Sequence, residues 1–305
     1  MPSLKAIRRR IASVKSTQKI TRAMKMVAAA RLNRAQLRIK ALRPYAVKTA
    51  EVLRSLASRA GGDEEGAHAL LAQRPVKRVL LLVLTSDRGL AGAFNSSIQR
   101  AAERKIAELR AEGSEVLIGA IGKKGRDYLR RRGYESKHDW SGNGEPTSER
   151  AAEIARLVSR EFIEGEVDRV IVLFNEFKSA MTQKVTFLPL LPIETSEEPA
   201  ATATAATAAS NAPQSAKSTV DYIYEPSQGA LLDRLLPMYV EVSVYRAMLD
   251  SSASEHGARM TAMDSATNNA KKMIGALTLE YNRARQAAIT KELMEIIGGA
   301  EALKD

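Results

Sequence analysis

Residues 258–300 form a proline-free stretch in which small or apolar side chains return every three or four residues: Met263, Ala266, Ala270, Met273, Leu277, Tyr281, Ala284 and Ala288. That spacing draws a single stripe along an α-helix. From Met273 to Ala284 the steps run four, four and three, an eleven-residue element that loosens or reverses the left-handed supercoil of a regular coiled coil. Gly275 is tolerable inside such a helix at some cost to its stability. With so much alanine in the stripe a partner helix can come close, and the chain has to supply that partner.

It does so at its other end. Leu4, Ile7, Ile11, Val14, Gln18, Thr21, Lys25, Ala28, Leu32, Ala35, Ile39 and Leu42 repeat the three-four spacing, with Ser3 placed to cap a helix that runs to about residue 57. The middle third of this stripe is polar, which predicts loose packing there or a face turned towards something other than the partner helix. Pro44 falls inside the pattern and predicts a kink or a break. A helix of this length spans roughly 80 Å at its usual rise, more than a domain of this size is wide, so part of it must protrude.

Charge is concentrated in the same place. The formal net charge is +12, and the first 54 residues hold fifteen lysines and arginines against Glu51 alone, leaving the remainder slightly acidic. A cleavable targeting segment is arginine-rich and acid-poor, but the helical pattern here runs far past any cleavable length. A nucleic-acid-binding helix is also basic; yet residues 1–44 contain no aromatic side chain for base stacking, and the charges circle the helix rather than lining one face. A solvated coiled-coil surface is the plain reading of such a run. Its sharper form is a positive sleeve steering towards acidic protein surface. Cysteine is absent, which removes disulfides, thiolate ligands and cysteine nucleophiles, and no apolar run approaches the length of a membrane span.

After a Gly-Asp-Glu loop at residues 61–66 the period changes. Residues 77–84 read as a buried strand, apolar throughout as parallel strands are, and end in Thr85-Ser86-Asp87-Arg88-Gly89-Leu90-Ala91-Gly92, a turn into a helix reaching about Glu112. A second strand at 116–121 ends in Gly122-Lys123-Lys124-Gly125 and a short helix to Arg132. A helix at 148–164, a strand at 169–174 and another at 182–188 follow, the alternation of an α/β layer with a largely parallel sheet. Neither glycine turn matches a dinucleotide fingerprint or a phosphate loop, so a nucleotide-dependent enzyme finds no support in them. His68, His138 and His256 share no ligand spacing, and no serine–histidine–acid or paired-carboxylate constellation emerges. We therefore expect no metal, no cofactor and no catalytic residue in this chain.

Residues 199–217 are an alanine- and threonine-rich, low-complexity tract, read as a surface insertion. Beyond it, Asp221-Tyr222-Ile223-Tyr224-Glu225-Pro226 is extended and Ser227 caps the last helix, which Pro237 should bend and Gly298-Gly299 should end. The expected organisation is a long antiparallel coiled coil of N- and C-terminal helices with a central Rossmann-like α/β domain: a coiled-coil helix at 1–58, the α/β domain at 77–195, the insertion at 196–220 and the completing helix at 221–305.

The residues themselves resemble a known family. Ile11-Ala12-Ser13-Val14-Lys15-Ser16-Thr17-Gln18-Lys19-Ile20-Thr21-Arg22-Ala23-Met24-Lys25-Met26-Val27-Ala28-Ala29 is similar to the first helix of the gamma subunits of F-type ATP synthases. Met263-Asp264-Ser265-Ala266-Thr267-Asn268-Asn269-Ala270 and Tyr281-Asn282-Arg283-Ala284-Arg285-Gln286-Ala287 resemble their last helix. Thr85-Ser86-Asp87-Arg88-Gly89-Leu90 and Asp221-Tyr222-Ile223-Tyr224-Glu225-Pro226 fit the family too, while the 199–217 tract departs from it and the cysteine-bearing insert of chloroplast relatives is missing.

The resemblance implies an asymmetric shaft inside a ring of three alpha and three beta subunits. Its globular part would rest on the epsilon subunit and the membrane-embedded c-ring. Such a subunit couples ion flow to ATP synthesis or hydrolysis at catalytic sites on the beta subunits and has none of its own. It would reach the membrane only through the c-ring, at the cytoplasmic face of a bacterial plasma membrane, and would bind no nucleic acid. By position, Arg285 and Gln286, with Thr290 and Glu292 beside them, would contact a beta-subunit loop near the top of the shaft. Met24 and Arg259 would meet acidic beta loops, and Tyr222 and Glu225 the polar loops of the c-ring. The plainer alternatives are solvated helix polars at the tip, a core-filling methionine at 24 and an ordinary strand tyrosine at 222.

Overall fold

Two helices longer than any single domain dominate the molecule. In this computed structural model, which describes residues 3–60, 68–142, 144–193 and 228–302, helix α1 is Leu4–Ala60 and the last helix, α5, is Gln228–Ala302. Their 57 and 75 residues correspond to roughly 85 and 110 Å at the usual helical rise. The Ser3 hydroxyl accepts from the Ala6 amide at 3.3 Å, the cap expected there. Neither proline breaks its helix. Pro44 and Pro237 are both exposed, so the carbonyl each leaves without a donor faces water instead of an apolar interior. Gly298-Gly299 do not end α5 either; it continues to Ala302.

Between the helices lies a five-stranded sheet: β1 Arg78–Leu84, β2 Glu115–Ile121, β3 His138–Asp139, β4 Arg169–Phe177 and β5 Gln183–Leu191. The strand order is β3-β2-β1-β4-β5, with β1, β2, β3 and β4 parallel and β5 antiparallel on β4 at the edge. The two-residue β3 is too short for a periodicity argument to find. Helices α2 Phe94–Ala111, α3 Lys123–Arg131 and α4 Ser148–Ile163 make the crossovers.

Because side chains alternate along a strand, β1 feeds two cores. Leu80, Leu82 and Leu84 pack with Ile154, Val158 and Phe162 of α4, and with Leu232, Leu236, Val240 and Val244 of α5. Val79, Leu81 and Val83 pack with Phe94, Ile98 and Ile106 of α2 and Leu129 of α3. The first part of α5 is therefore a layer of the α/β domain, and only its later part is shaft. The 196–220 insertion, Tyr222, Glu225 and Ser227 lie outside the described residues.

Candidate functional site

The shaft is an antiparallel seam. Leu32 and Ala35 pack on Ala253; further along, Lys25 reaches Asp264, and further still Thr21 meets Thr267. All twelve stripe positions on α1 are buried or half-buried. On α5 the stripe holds at Met263, Ala270 and Leu277, but Met273 is 53% exposed and Ile274 turns inward in its place. With Thr267, which faces Thr21, in place of Ala266, the steps from Met263 through Ala270, Ile274, Leu277 and Tyr281 to Ala284 alternate four and three, so the eleven-residue element is not part of the seam.

The polar middle of α1 does not look away from its partner helix. The Thr21 and Thr267 hydroxyls lie 2.8 Å apart, and Lys25 Nζ donates to Asp264 Oδ1 at 2.6 Å. Thr267 also lies 2.7 Å from the Met263 carbonyl and Thr21 3.1 Å from that of Gln18, so each hydroxyl has a local acceptor within reach. Polar residues on both helices meet each other, which is why the seam stays closed where its apolar residues run out. The ion pair, nearly half exposed on both sides, adds little to stability.

Past the seam, among the described residues, α5 stands alone. Every residue from Arg285 to Ile297 is exposed, including Ile289, Leu293, Ile296 and Ile297. By helical periodicity these four form one apolar stripe, with Arg285 and Glu292 along one edge and Gln286 and Thr290 along the other. Thr290 donates back to the Gln286 carbonyl at 3.0 Å; among the described residues nothing else holds these polar groups. All four tip positions expected from the resemblance are exposed, two on each edge of this stripe.

It does not bring Met24 and Arg259 to a common surface. Met24 is half-buried, whereas Arg259 is only 9% exposed and works inside the chain, where shaft and α/β domain join. Its guanidinium pairs with Glu255 at 2.6 Å and reaches the carbonyls of Arg88 at 3.4 Å and Gly89 at 3.3 Å. Burial pushes the Glu255 carboxyl above its usual range, and Arg259 opposes that. Burial, then Arg259 and Arg31, push His256 down to about 4, so near neutral pH it is uncharged and Nδ1 accepts from Arg259 at 3.3 Å. The loop so gripped projects Leu90, 63% exposed at φ 65°. Sequence reasoning missed this collar; the signal available was a run of ionisable residues, Glu255, His256 and Arg259, on one helix face.

The sheet's carboxyl ends, where doubly wound folds bind ligands, are filled by the chain itself. Asp87 Oδ1 accepts from the Lys123 amide at 2.9 Å and the Gly142 amide at 3.0 Å. The Ser86 carbonyl takes the Lys124 amide and the Thr85 hydroxyl the Gly125 amide, so the start of α3 already has its acceptors. Gly122 is there for close approach: a Cβ would lie 2.1 Å from the Thr85 carbonyl oxygen, and its φ is 107°. The residual cavity, bordered by Trp140, Ser251 and Glu255, holds about 80 Å³. A nucleotide site needs several times that, ~300 Å³ or more.

Comparison with known proteins agrees with this arrangement. A family model described as ATP synthase matches residues 3–303. The ATP synthase gamma chain of Sorangium cellulosum is 50% identical over 327 aligned residues, and that of Anaeromyxobacter sp. (strain K) 50% over 305, each alignment covering 100% of both chains. A chain from the Tetrahymena thermophila mitochondrial ATP synthase central stalk and c-ring superposes with a TM-score of 0.59 at 28% identity, covering 81% of this chain and 99% of that one. A chain of the Euglena gracilis mitochondrial ATP synthase shares the fold, with a TM-score of 0.62 at 18% identity over 98% of this chain and 94% of that one.

Proposed function

The chain belongs to the ATP synthase gamma-chain family, and on that premise we propose that it is the central rotor shaft of an F-type ATP synthase, without a catalytic site of its own. Ion flow through the membrane c-ring turns the shaft, and the shaft drives ATP synthesis, or is driven by hydrolysis, at sites on the beta subunits. The observation that carries this reading is the free end of α5, a lone helix with an apolar stripe in water from Ile289 to Ile297. An isolated helix of that length is marginal, and such a stripe calls for a sleeve around it.

The mechanism follows from the tip's unequal faces. One face is apolar, its edges carry Arg285, Gln286, Thr290 and Glu292, and the rest is mixed, so three equivalent positions in a surrounding ring meet three different surfaces. A shaft that binds one conformation of a ring subunit better than another, by about 1–3 kcal/mol, shifts that subunit's equilibrium by roughly 5- to 150-fold. The coupling is reciprocal, so nucleotide state at a beta site also selects the shaft's orientation.

The surrounding assembly, in this reading, is three alpha and three beta subunits at the tip, with the epsilon subunit and the c-ring at the other end. Among the described residues no helix is long and apolar enough to cross a membrane. In this reading attachment to the cytoplasmic face of the plasma membrane runs through the c-ring, with Tyr222 and Glu225 as its contacts. Arg285, Gln286, Thr290 and Glu292 hold a beta-subunit loop, and Met24 borders the acidic beta loops. Arg259 contributes by bracing the Arg88–Gly89 backbone from inside.

A tagged copy of the full chain tests this. It should purify with two larger nucleotide-binding subunits in molar excess; isolation without them ends the proposal. Within such a complex, Arg285→Ala with Gln286→Ala should lower coupled ATP synthesis on the order of tenfold, the factor set by about 1.4 kcal/mol of differential binding.

A further inference from the structure

Several arginines in and beside the α/β domain have work inside it. Arg126 pairs with Asp127 and Asp139, Arg132 with Glu103, and Arg78 and Arg74 donate to backbone carbonyls. Three arginines without such a partner lie together. Arg156, Arg160 and Ile163 of α4 face Arg234, Pro237 and Met238 of α5 across a groove of about 480 Å³. Spacings of four and three on α4, and of three and one on α5, place each set along one helix face. The three arginines are exposed, and no ion pair joins them to another described residue, although Glu164 and Glu241 border the same groove. Its floor is apolar except for Ser159, whose hydroxyl is buried and has no hydrogen-bond partner.

From these features we infer that the α4–α5 groove docks an acidic segment of a neighbouring subunit, with an apolar side chain between carboxylates. The apolar side chain would lie over Ile163, Pro237 and Met238. The carboxylates would meet guanidinium groups, whose planar fork matches them, and the Ser159 hydroxyl would donate a hydrogen bond to a carbonyl or carboxylate oxygen. Protein interfaces favour this combination of arginine rim and apolar centre. The groove sits near the start of α5, at the opposite end of that helix from the tip, so its occupant is not the sleeve around the tip. The inference rests on the shaft reading only for the existence of neighbours.

The experiment uses the assembled complex, with Ile163→p-benzoylphenylalanine as photocrosslinker, a position 48% exposed. Expected is a crosslink, located by peptide mass spectrometry, to a protein stretch with at least two carboxylates flanking an apolar residue. Arg156→Glu with Arg160→Glu should cut its yield on the order of tenfold, as reversing rim charges does, while Arg104→Glu on the opposite sheet face should not. Ser159→Ala should raise the thermal midpoint of the free chain yet lower the yield, since it removes an orphan hydroxyl that only the occupant satisfies. Should charge reversal block assembly, Arg156→Gln with Arg160→Gln and a salt titration carry the same test. A crosslink to lipid, to a non-acidic segment, or to nothing overturns the docking groove while the chain still co-purifies with its ring. If co-purification itself fails, the shaft reading falls instead.

Discussion

The two ends of α5 are one continuous helix held by different forces. From Leu232 to Met248 one face of it, Leu232, Leu236, Val240, Val244, Ala247 and Met248, is sealed in the core with the sheet and α4; Leu236 and Val240 have no exposed surface. From Arg285 onward every side chain to Ile297 faces water. Local propensity does not explain the difference, since the sheet-bound stretch contains Pro237, three valines and two tyrosines, poorer helix formers than most of the tip. What differs is the presence of a partner. The first part is held by its own chain, and the last is built to be held by another.

The largest stability effect should therefore come from the sheet-bound part. Leu236→Ala leaves a cavity between α5, α4 and the sheet and should lower unfolding free energy by about 3–4 kcal/mol in denaturant titration. Next comes the collar. Arg259→Ala strands the mostly buried Glu255 carboxyl and should lower stability by about 3 kcal/mol, while Arg259→Met with Glu255→Leu should recover most of it. A double variant as unstable as the single one would mean that the collar acts through the Arg88–Gly89 carbonyls and not through the ion pair.

Much of this contrast was legible in the sequence. The stripe on α1 from Leu4 to Leu42 was readable position by position because a two-helix seam is nearly one-dimensional, and helical spacing alone fixes which residues face it. The tip residues Arg285, Gln286, Thr290 and Glu292 came from resemblance, and their exposure agrees with that placement without testing their contacts. What periodicity could not supply was anything set by tertiary contact. Met273 and Ile274 are adjacent and similar, and only the partner's position decides which turns inward. Arg259 looked like a surface cation because its acceptors, Glu255 and His256 apart, are carbonyls about 170 residues away. Asp87 plugging the start of α3 depends on a glycine turn whose purpose no linear pattern reveals.

A smaller effect separates two buried groups on neighbouring turns of α5. Burial raises the Asp250 carboxyl to about 6, Arg246 and Lys178 opposing and Glu176 adding, so the folded chain holds a proton that the unfolded chain has lost. That contribution favours folding below about pH 4 and is lost as pH rises to about 6. His256 is pushed down to about 4, so its contribution is present above about pH 6.5 and is lost as pH falls. Over pH 4–6 the two slopes oppose. Asp250→Asn should leave stability rising with pH, and His256→Gln should leave it falling, each by on the order of 2–3 kcal/mol across that window. Parallel profiles of thermal midpoint against pH for the two variants would remove the premise that these sites titrate independently.

The smallest effect on the free chain is the one that most sharpens the contrast. Ile289→Ala with Leu293→Ala should shift the thermal midpoint of the isolated chain within the scatter of surface substitutions, under ~0.5 kcal/mol, because neither side chain is buried there. Alanine is also the better helix former, so the lone helix itself is not weakened. In the assembled enzyme the same pair should lower coupled ATP synthesis, since the apolar stripe is then inside its sleeve. Amide exchange gives the spatial version of the test. In the free chain, protection should fall along α5 beyond Tyr281 and Ala284, the last half-buried positions of the seam, while the amides around Leu236 exchange only on global unfolding. On assembly the protected region should extend past Leu293, and the gradient should disappear. Equal protection at both ends of the free chain would mean that the tip is stable by itself, and the need for a sleeve, on which the shaft's coupling to its ring depends, would have no physical basis.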